Sequence, residues 1–260
     1  MLHLVTIATH SERMFPVLKE SAKRNGVSLN ILGQEQPWKN FSTKIDLLLP
    51  LCRTLPDDDI LCYLDGFDSL ILPSIQELEE NFELFDKDVV FSNDHRHQGT
   101  LGYFERKYFS SEYIFSTGIF IGKIKAIQKL FTSAKQMYPD QTDDQKILRG
   151  YCTHHSPEHI GIDLEAKLFY NFDTADGSFN LLDQVNQIHQ GQIQLNNGEI
   201  PAIISFPCSW FAIGITKNVH ALFKELGYDY YPAINFKNTF NGLKYYISNT
   251  IKDSLRDLLK

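Results

Sequence analysis

Ile60-Leu61-Cys62-Tyr63-Leu64-Asp65-Gly66-Phe67-Asp68 runs five apolar or aromatic residues straight into a turn that carries two carboxylates. A continuous apolar run this short reads as a strand buried on both faces, the kind found inside parallel sheets. Its abrupt end after Leu64 places Asp65 and Asp68 just past the carboxyl end of the strand, and that edge is where open parallel sheets bind ligands. A tight turn through Gly66 can aim both carboxylates at one hard divalent cation, magnesium or manganese, leaving coordination positions for diphosphate oxygens and water. Aspartates that merely cap the amides of a turn would give the same letters, and D-x-x-D alone does not separate the two readings.

The flanking sequence supplies the sheet in which that strand would lie. Upstream, Leu2 to Ala8 reads as a strand. Ser11 then caps a helix with Phe15, Leu18 and Ala22 on one face, Pro16 in its first turn and Gly26 as its stop. Val27 to Leu32 completes a βαβ unit, whose crossover makes its strands parallel. Ser42 opens a second helix through Ile45, Leu48, Leu49 and Cys52, which Pro50 should end or kink. Downstream come a Glu-rich helix from Ser74 to Phe85 and strands at Val89 to Ser92 and Phe115 to Gly122. A further helix carries Ile124, Ile127, Leu130, Phe131 and Ala134 on one face. Alternation of this kind to about residue 150 specifies an α/β fold, a mostly parallel sheet with helices on both faces.

Beyond that point the pattern is irregular. A strand pair is expected within Ile160 to Phe172, period-two alternation spans Ile188 to Leu195, and Ile200 to Phe206 reads as a buried strand. Leu243, Ile247, Ile251, Leu255 and Leu258 then repeat at helical spacing, predicting an amphipathic helix over 238–260. That helix is expected to dock on its own protein, with a partner helix or a membrane surface as the alternatives. With no linker or repeat in evidence, residues 1–260 are read as a single domain.

Composition narrows the function. The chain has 260 residues and a formal net charge of -7, with a sequence pI near 5.7. This argues against a dedicated nucleic-acid binder, which concentrates positive charge on one face. Cys52, Cys62, Cys152 and Cys208 are too scattered for a zinc pattern and too few for a disulfide framework. With no signal peptide and no apolar run of about 20 residues, a cytoplasmic protein with reduced thiols is expected.

Three further features bear on chemistry. Asp143-Asp144-Gln145 precedes the apolar pair Ile147 and Leu148. Thr142 or Asp143 can serve there as a helix N-cap, or one carboxylate can enter a cleft to hold sugar hydroxyls. Trp38, in a polar loop after the second strand, can stack on a base or simply pin the loop. Lys44, near a helix start, can meet a phosphate, although a lone lysine is more often an ordinary surface residue.

Taken in order, Val5-Thr6-Ile7-Ala8-Thr9, Ile31-Leu32-Gly33-Gln34 with Trp38, Lys44, Asp65-Gly66-Phe67-Asp68, Phe115-Ser116-Thr117-Gly118-Ile119-Phe120-Ile121-Gly122 and Asp143-Asp144-Gln145 form a familiar series. From about residue 3 to residue 205 the chain resembles the glycosyltransferase domain of procollagen lysyl hydroxylases and related collagen-type glycosyltransferases. The resemblance implies a GT-A fold, a UDP-sugar donor, a manganese (or magnesium) ion and a glycan or glycosylatable protein as acceptor. It assigns the metal to Asp65 and Asp68. Thr6, Ala8, Trp38, Lys44 and Phe67 go to the nucleotide, with Phe67 packing on uridine opposite Trp38, and Asp143, Asp144 and Asp94 to the sugar and acceptor. In this chain Ser205 stands where relatives commonly carry a metal-binding histidine, and a hydroxyl is a poorer transition-metal ligand. His189 and His220 are the substitutes to consider. Residues His95-Arg96-His97-Gln98 lack an aromatic that relatives show near the acceptor. The expected activity is metal-dependent transfer of a hexose to a hydroxyl, with a nucleotide-sugar or glycan binding module lacking turnover as the alternative.

Overall fold

The computed structural model describes residues 1–94, 114–172, 181–207 and 213–230. Its elements follow the chain as β1 (Leu2–Ile7), α1 (Phe15–Arg24), β2 (Leu29–Leu32), α2 (Thr43–Cys52), β3 (Ile60–Asp65), β4 (Ser69–Ile71), a 3-10 turn (Pro73–Glu77), α3 (Leu78–Glu83) and β5 (Val89–Asn93). There follow β6 (Phe115–Lys123), α4 (Ile124–Met137), α5 (Asp144–His155), β7 (Ile160–Asp163), β8 (Phe169–Asn171), a 3-10 turn (Leu181–Gln184), β9 (Val185–His189), β10 (Gln192–Leu195), β11 (Ile203–Ser205) and α6 (Ile213–Glu225).

The central sheet has the order β2-β1-β3-β6-β5-β7. β1 pairs in parallel with both β2 and β3, and β5 pairs in parallel with β7. β6 runs antiparallel between β3 and β5, so the sheet is mixed but mostly parallel. The apolar run that opened the sequence reading is β3, flanked by β1 and β6, and residues Ile60 to Leu64 are all buried. Alternate residues face opposite layers. Val5, Ile7, Leu61 and Tyr63 pack with Ile45, Leu48, Leu130, Phe131, Ile147 and Leu148 from α2, α4 and α5. Leu4, Cys62, Leu64 and Ile121 pack with Phe15, Leu18, Leu78 and Phe82 from α1 and α3.

The chain passes from β1 through α1 to β2 on one side of β1, then through α2 to β3 on the other. The carboxyl ends of β1 and β3 therefore flank a topological switch point, and Ile7 is paired with Asp65 at that rim. Immediately beyond the rim lies a second sheet of order β4-β11-β8. β11 is antiparallel to β4 and parallel to β8, so Ser69, Ser205 and Asn171 lie side by side.

Several expectations are refined. Ser11 does not cap α1: Met14 occupies that position without a side-chain hydrogen bond, and Pro16 lies in the first turn. Proline has fixed the helical φ already and lacks the amide that a cap would satisfy. Pro50 does not stop α2: it lies in the last turn, and the helix runs on to Cys52. The Glu-rich segment divides into the first 3-10 turn and α3. The alternating stretch becomes the β9/β10 hairpin. The expected helix over 238–260 lies outside the described residues, as do His95-Arg96-His97-Gln98 and Cys208. Among the described residues no helix is long and apolar enough to cross a membrane.

Candidate active site

The turn after β3 is built on close approach rather than on unusual dihedrals. A methyl group on Gly66 would fall 2.7 Å from the Ile7 carbonyl oxygen and 3.0 Å from Thr6 Oγ1. Only glycine lets the turn lie flat on β1 and bring Asp65 and Asp68 to the rim. Thr6 is fully buried beneath it. Its hydroxyl has no hydrogen-bond partner among the described residues, and its strand neighbours are Ile31 and Leu64. Ala8 is likewise buried and gives its amide to Leu32 O at 3.0 Å. Both residues, expected at the nucleotide, are thus the floor of the turn, with no side-chain surface open to a ligand.

Asp65 is held from one side. Tyr63 Oη donates to its Oδ1 at 2.6 Å, and Lys44 Nζ stands 3.2 Å from the same oxygen. Oδ2 is on the side of β6, where a methyl on Gly118 would sit 3.0 Å from it. Because residue 118 lacks that methyl, Oδ2 keeps a clear approach. The Asp65 side chain is 36% exposed, so one oxygen is anchored and the carboxylate still reaches the surface.

Lys44 is the surprise of the site. It was expected at a phosphate, yet its side chain is only 5% exposed. Its ammonium is surrounded by Asp144 Oδ2 at 2.8 Å, Thr117 O at 3.1 Å and Asp65 Oδ1 at 3.2 Å, with the Tyr63 ring 5.0 Å away. The ammonium donates to Thr117 O and pairs with two carboxylates inside the protein, so it is committed to those groups rather than held free at the surface for a phosphate. Burial pulls its pKa down, but the charges of Asp144 and Asp65 together overcome that and drive it well above the ordinary lysine value. The same surroundings push the Tyr63 phenol up, through burial first and the Asp65 charge second. Lys44 therefore stays charged and Tyr63 stays a donor.

The two adjacent aspartates divide the roles between which the sequence left a choice. Asp143 is the N-cap of α5, its Oδ1 accepting from Lys146 N at 3.1 Å. Burial, and then the neighbouring Asp144, raises its pKa above the usual carboxylate range. Asp144, one residue on, turns into the protein and pairs with Lys44. Gln145 accepts from Thr117 N at 3.4 Å and reaches Asp94 at 3.5 Å. Asp94 is buried at the end of β5 and pairs with Arg149 at 2.8 Å, while Arg149 also donates to Phe115 O. Tyr63 and Arg149 escaped the sequence reading. The spacing of Arg149, one helical turn after Gln145 on α5, was the available signal.

Asp68 begins β4. Its backbone carbonyl accepts from Phe206 N at 2.8 Å, and Ser205 Oγ donates to its Oδ1 at 3.4 Å. Ser205 thus stands beside Asp68, where the resemblance places a histidine. Neither proposed substitute joins them: among the described residues no three His, Cys, Asp or Glu side chains gather, and His220 Nδ1 is engaged with Tyr230 O. The donors on offer are carboxylate and hydroxyl oxygens, which suit a hard cation such as magnesium or manganese. Together with the cleared approach to Asp65 Oδ2, this donor set fits a divalent ion.

Trp38 and Phe67 each pack against other aromatic rings. Trp38 is 41% exposed and packs edge-on against Phe41 with centroids 6.0 Å apart. Phe67 is half-buried and lies against His10 and Phe15 at 5.4 and 6.3 Å.

A sheet with its switch point at β1 and β3, and acidic residues collected at that rim, define a GT-A type glycosyltransferase. Residues 1–205 match the family described as the PLOD GT domain, and the chain belongs to that family. Among solved structures it is similar to the galactosyltransferase LgtC in complex with donor and acceptor sugar analogues. The identity there is 16% and the TM-score 0.52, with 87% of this chain and 95% of that one covered. An active-site mutant of LgtC matches at 15% identity and a TM-score of 0.54, over the same shares of the two chains. At that identity the likeness is one of fold. No curated protein sequence is significantly similar to the chain.

Proposed function

We propose that the protein transfers a hexose from a UDP-sugar to a hydroxyl group on a glycan or glycosylated protein, with a divalent cation held by Asp65 and Asp68. The observation that carries this reading is the rim of β3. There Asp65 keeps one anchored and one accessible oxygen, and Asp68 follows within the same turn. Bound there, a divalent ion compensates the charge that gathers on the departing diphosphate.

The chain's own residues supply the rest. Lys44 and Tyr63 fix the rotamer of Asp65, so that its free oxygen is presented without reorganisation. Asp143, fixed as a helix cap, offers its carboxylate to sugar hydroxyls and to positive charge at the anomeric carbon, and Asp144, buried against Lys44, ties the start of α5 to the Asp65 side of the site. Arg149 holds Asp94 at the end of β5, on the side proposed for the acceptor. Trp38 offers an exposed aromatic face to the base. Membership of the PLOD GT domain family and the GT-A fold support this assignment.

Screening UDP-glucose, UDP-galactose and their N-acetyl derivatives for UDP release with manganese, with magnesium and with chelator tests it. Stimulation by a divalent ion that is lost in Asp68→Ala, with unchanged circular dichroism, is the expected result. The second reading, a nucleotide-sugar binding module without turnover, draws on Ser205 in place of a nitrogen ligand. It is preferred if UDP binds yet no donor is hydrolysed.

A further inference from the structure

Resting on that reading, we propose that Lys44 is a positioning residue that joins the cation half and the sugar half of the site into one unit, competing with the divalent ion for Asp65. The geometry has three parts. Lys44 Nζ stands in ion-pair contact with Asp65 Oδ1 and Asp144 Oδ2, at 3.2 and 2.8 Å, and donates to Thr117 O. The carboxylates it bridges come from the end of β3 and the first turn of α5, elements that share no backbone hydrogen bond at this point. Lys44 is itself fixed by its place in the first turn of α2, with its side chain enclosed. A single internal ammonium therefore sets the separation of the two acidic groups.

The electrostatic consequence is a balance. Two carboxylates share one ammonium, so the Lys44, Asp65 and Asp144 trio keeps one net negative charge, and a cation arriving at Asp65 Oδ2 meets a carboxylate already half neutralised from behind. Removing the ammonium makes the rim more attractive to a metal ion, because the carboxylate is no longer shared. It also releases Asp65 and Asp144 to drift apart, and loss of alignment by about 1 Å costs about a hundredfold in rate. Affinity and turnover should thus move in opposite directions. A side chain that merely props up the fold would lower both.

The test uses the full chain and two readouts, manganese binding by calorimetry in the presence of UDP and the rate of UDP release from the active donor. Lys44→Met is expected to bind manganese about tenfold more tightly, the scale of one modest charge contact, while kcat falls about a hundredfold. KM for the donor should change far less than kcat. Asp144→Asn provides a second route that leaves Lys44 in place. With Asp144 neutral, the ammonium turns wholly to Asp65, and manganese affinity should fall several-fold. Retained turnover in Lys44→Met, or manganese binding no tighter than in the wild type, overturns the inference. If Lys44→Met does not fold, unchanged manganese affinity in Asp144→Asn overturns it instead. A wild-type protein that binds neither manganese nor UDP overturns the proposed function itself, which separates the two failures.

Discussion

Gly118→Ala places one methyl group at the most sensitive point of the site. On the existing backbone the new carbon would lie 3.0 Å from Asp65 Oδ2 and 3.3 Å from Ser116 Oγ, both shorter than an ordinary contact. A few tenths of an ångström must be found. β6 pairs with β3 as far as Ile119 and with β5 at Phe120 and again at Ser116, so Gly118 lies in the irregular stretch between those pairs, and its neighbours on both strands limit how far the backbone can shift. Asp65 is the softer partner, but its other oxygen is held by Tyr63 at 2.6 Å and by Lys44 at 3.2 Å. Overpacking of this kind costs about 1–3 kcal/mol. If the carboxylate absorbs it by turning Oδ2 away from the rim, the same energy appears as about a 5- to 150-fold loss in divalent-ion affinity. The assay is a manganese titration with UDP present, run beside a urea unfolding curve. We expect affinity to fall by at least fivefold while the unfolding midpoint moves little. Wild-type manganese affinity at wild-type stability would show that the oxygen beside Gly118 does not face the ion, and would refute the assignment of Asp65 Oδ2 as a ligand.

Two other predictions concern the surroundings of the site. Arg149→Met removes the 2.8 Å ion pair from the buried Asp94 carboxylate, which should lower stability in urea unfolding by up to about 3 kcal/mol. Asp94→Asn in the same chain should restore part of that loss, and full additivity of the two changes would refute the pairing. The folded-state pKa of Asp143 is raised by burial and by Asp144, so folding favours its protonated form. Its contribution to stability is present below the ordinary carboxylate value and is lost as pH rises through the raised one. Asp143→Asn keeps a capping side chain and removes the titration. Relative to this variant the wild type should lose stability as pH rises through the acid range, and a pH-independent difference between the two would contradict the assignment.

The central strand was legible because its signal is local. Five consecutive apolar residues followed by Asp65 mark a buried strand and its rim whatever the rest of the chain does. The same holds for α4, where Ile124, Ile127, Leu130, Phe131 and Ala134 are all buried as their spacing requires. The reversal of β6 was not legible, since alternation and apolarity are the same for a strand running either way. Nor was the small β4-β11-β8 sheet, which pairs Ser69 with Ser205 across much of the chain. Lys44 shows the limit most clearly. Composition treats a lysine as surface, and its burial depends on Asp65 and Asp144, which are distant in sequence and close only in the fold. Asp143 and Asp144 were recognised as a pair. Their division into helix cap and ion-pair partner follows from the direction in which α5 leaves its first turn, a tertiary fact.

The pairing of β4 with β11 has a consequence for the order in which the site comes into being. Everything that secures Asp65 from the front half of the molecule, β1, α2, β3 and β6, has been synthesised by residue 123. Asp68 waits for Ser205 and Phe206 to arrive and pair with it. A chain ending at residue 123 would still lack Asp144, the second carboxylate on Lys44, as well as the strand that Asp68 adjoins. The two carboxylates of the turn after β3 thus owe their settings to opposite ends of the sequence, one to the first half and one to β11.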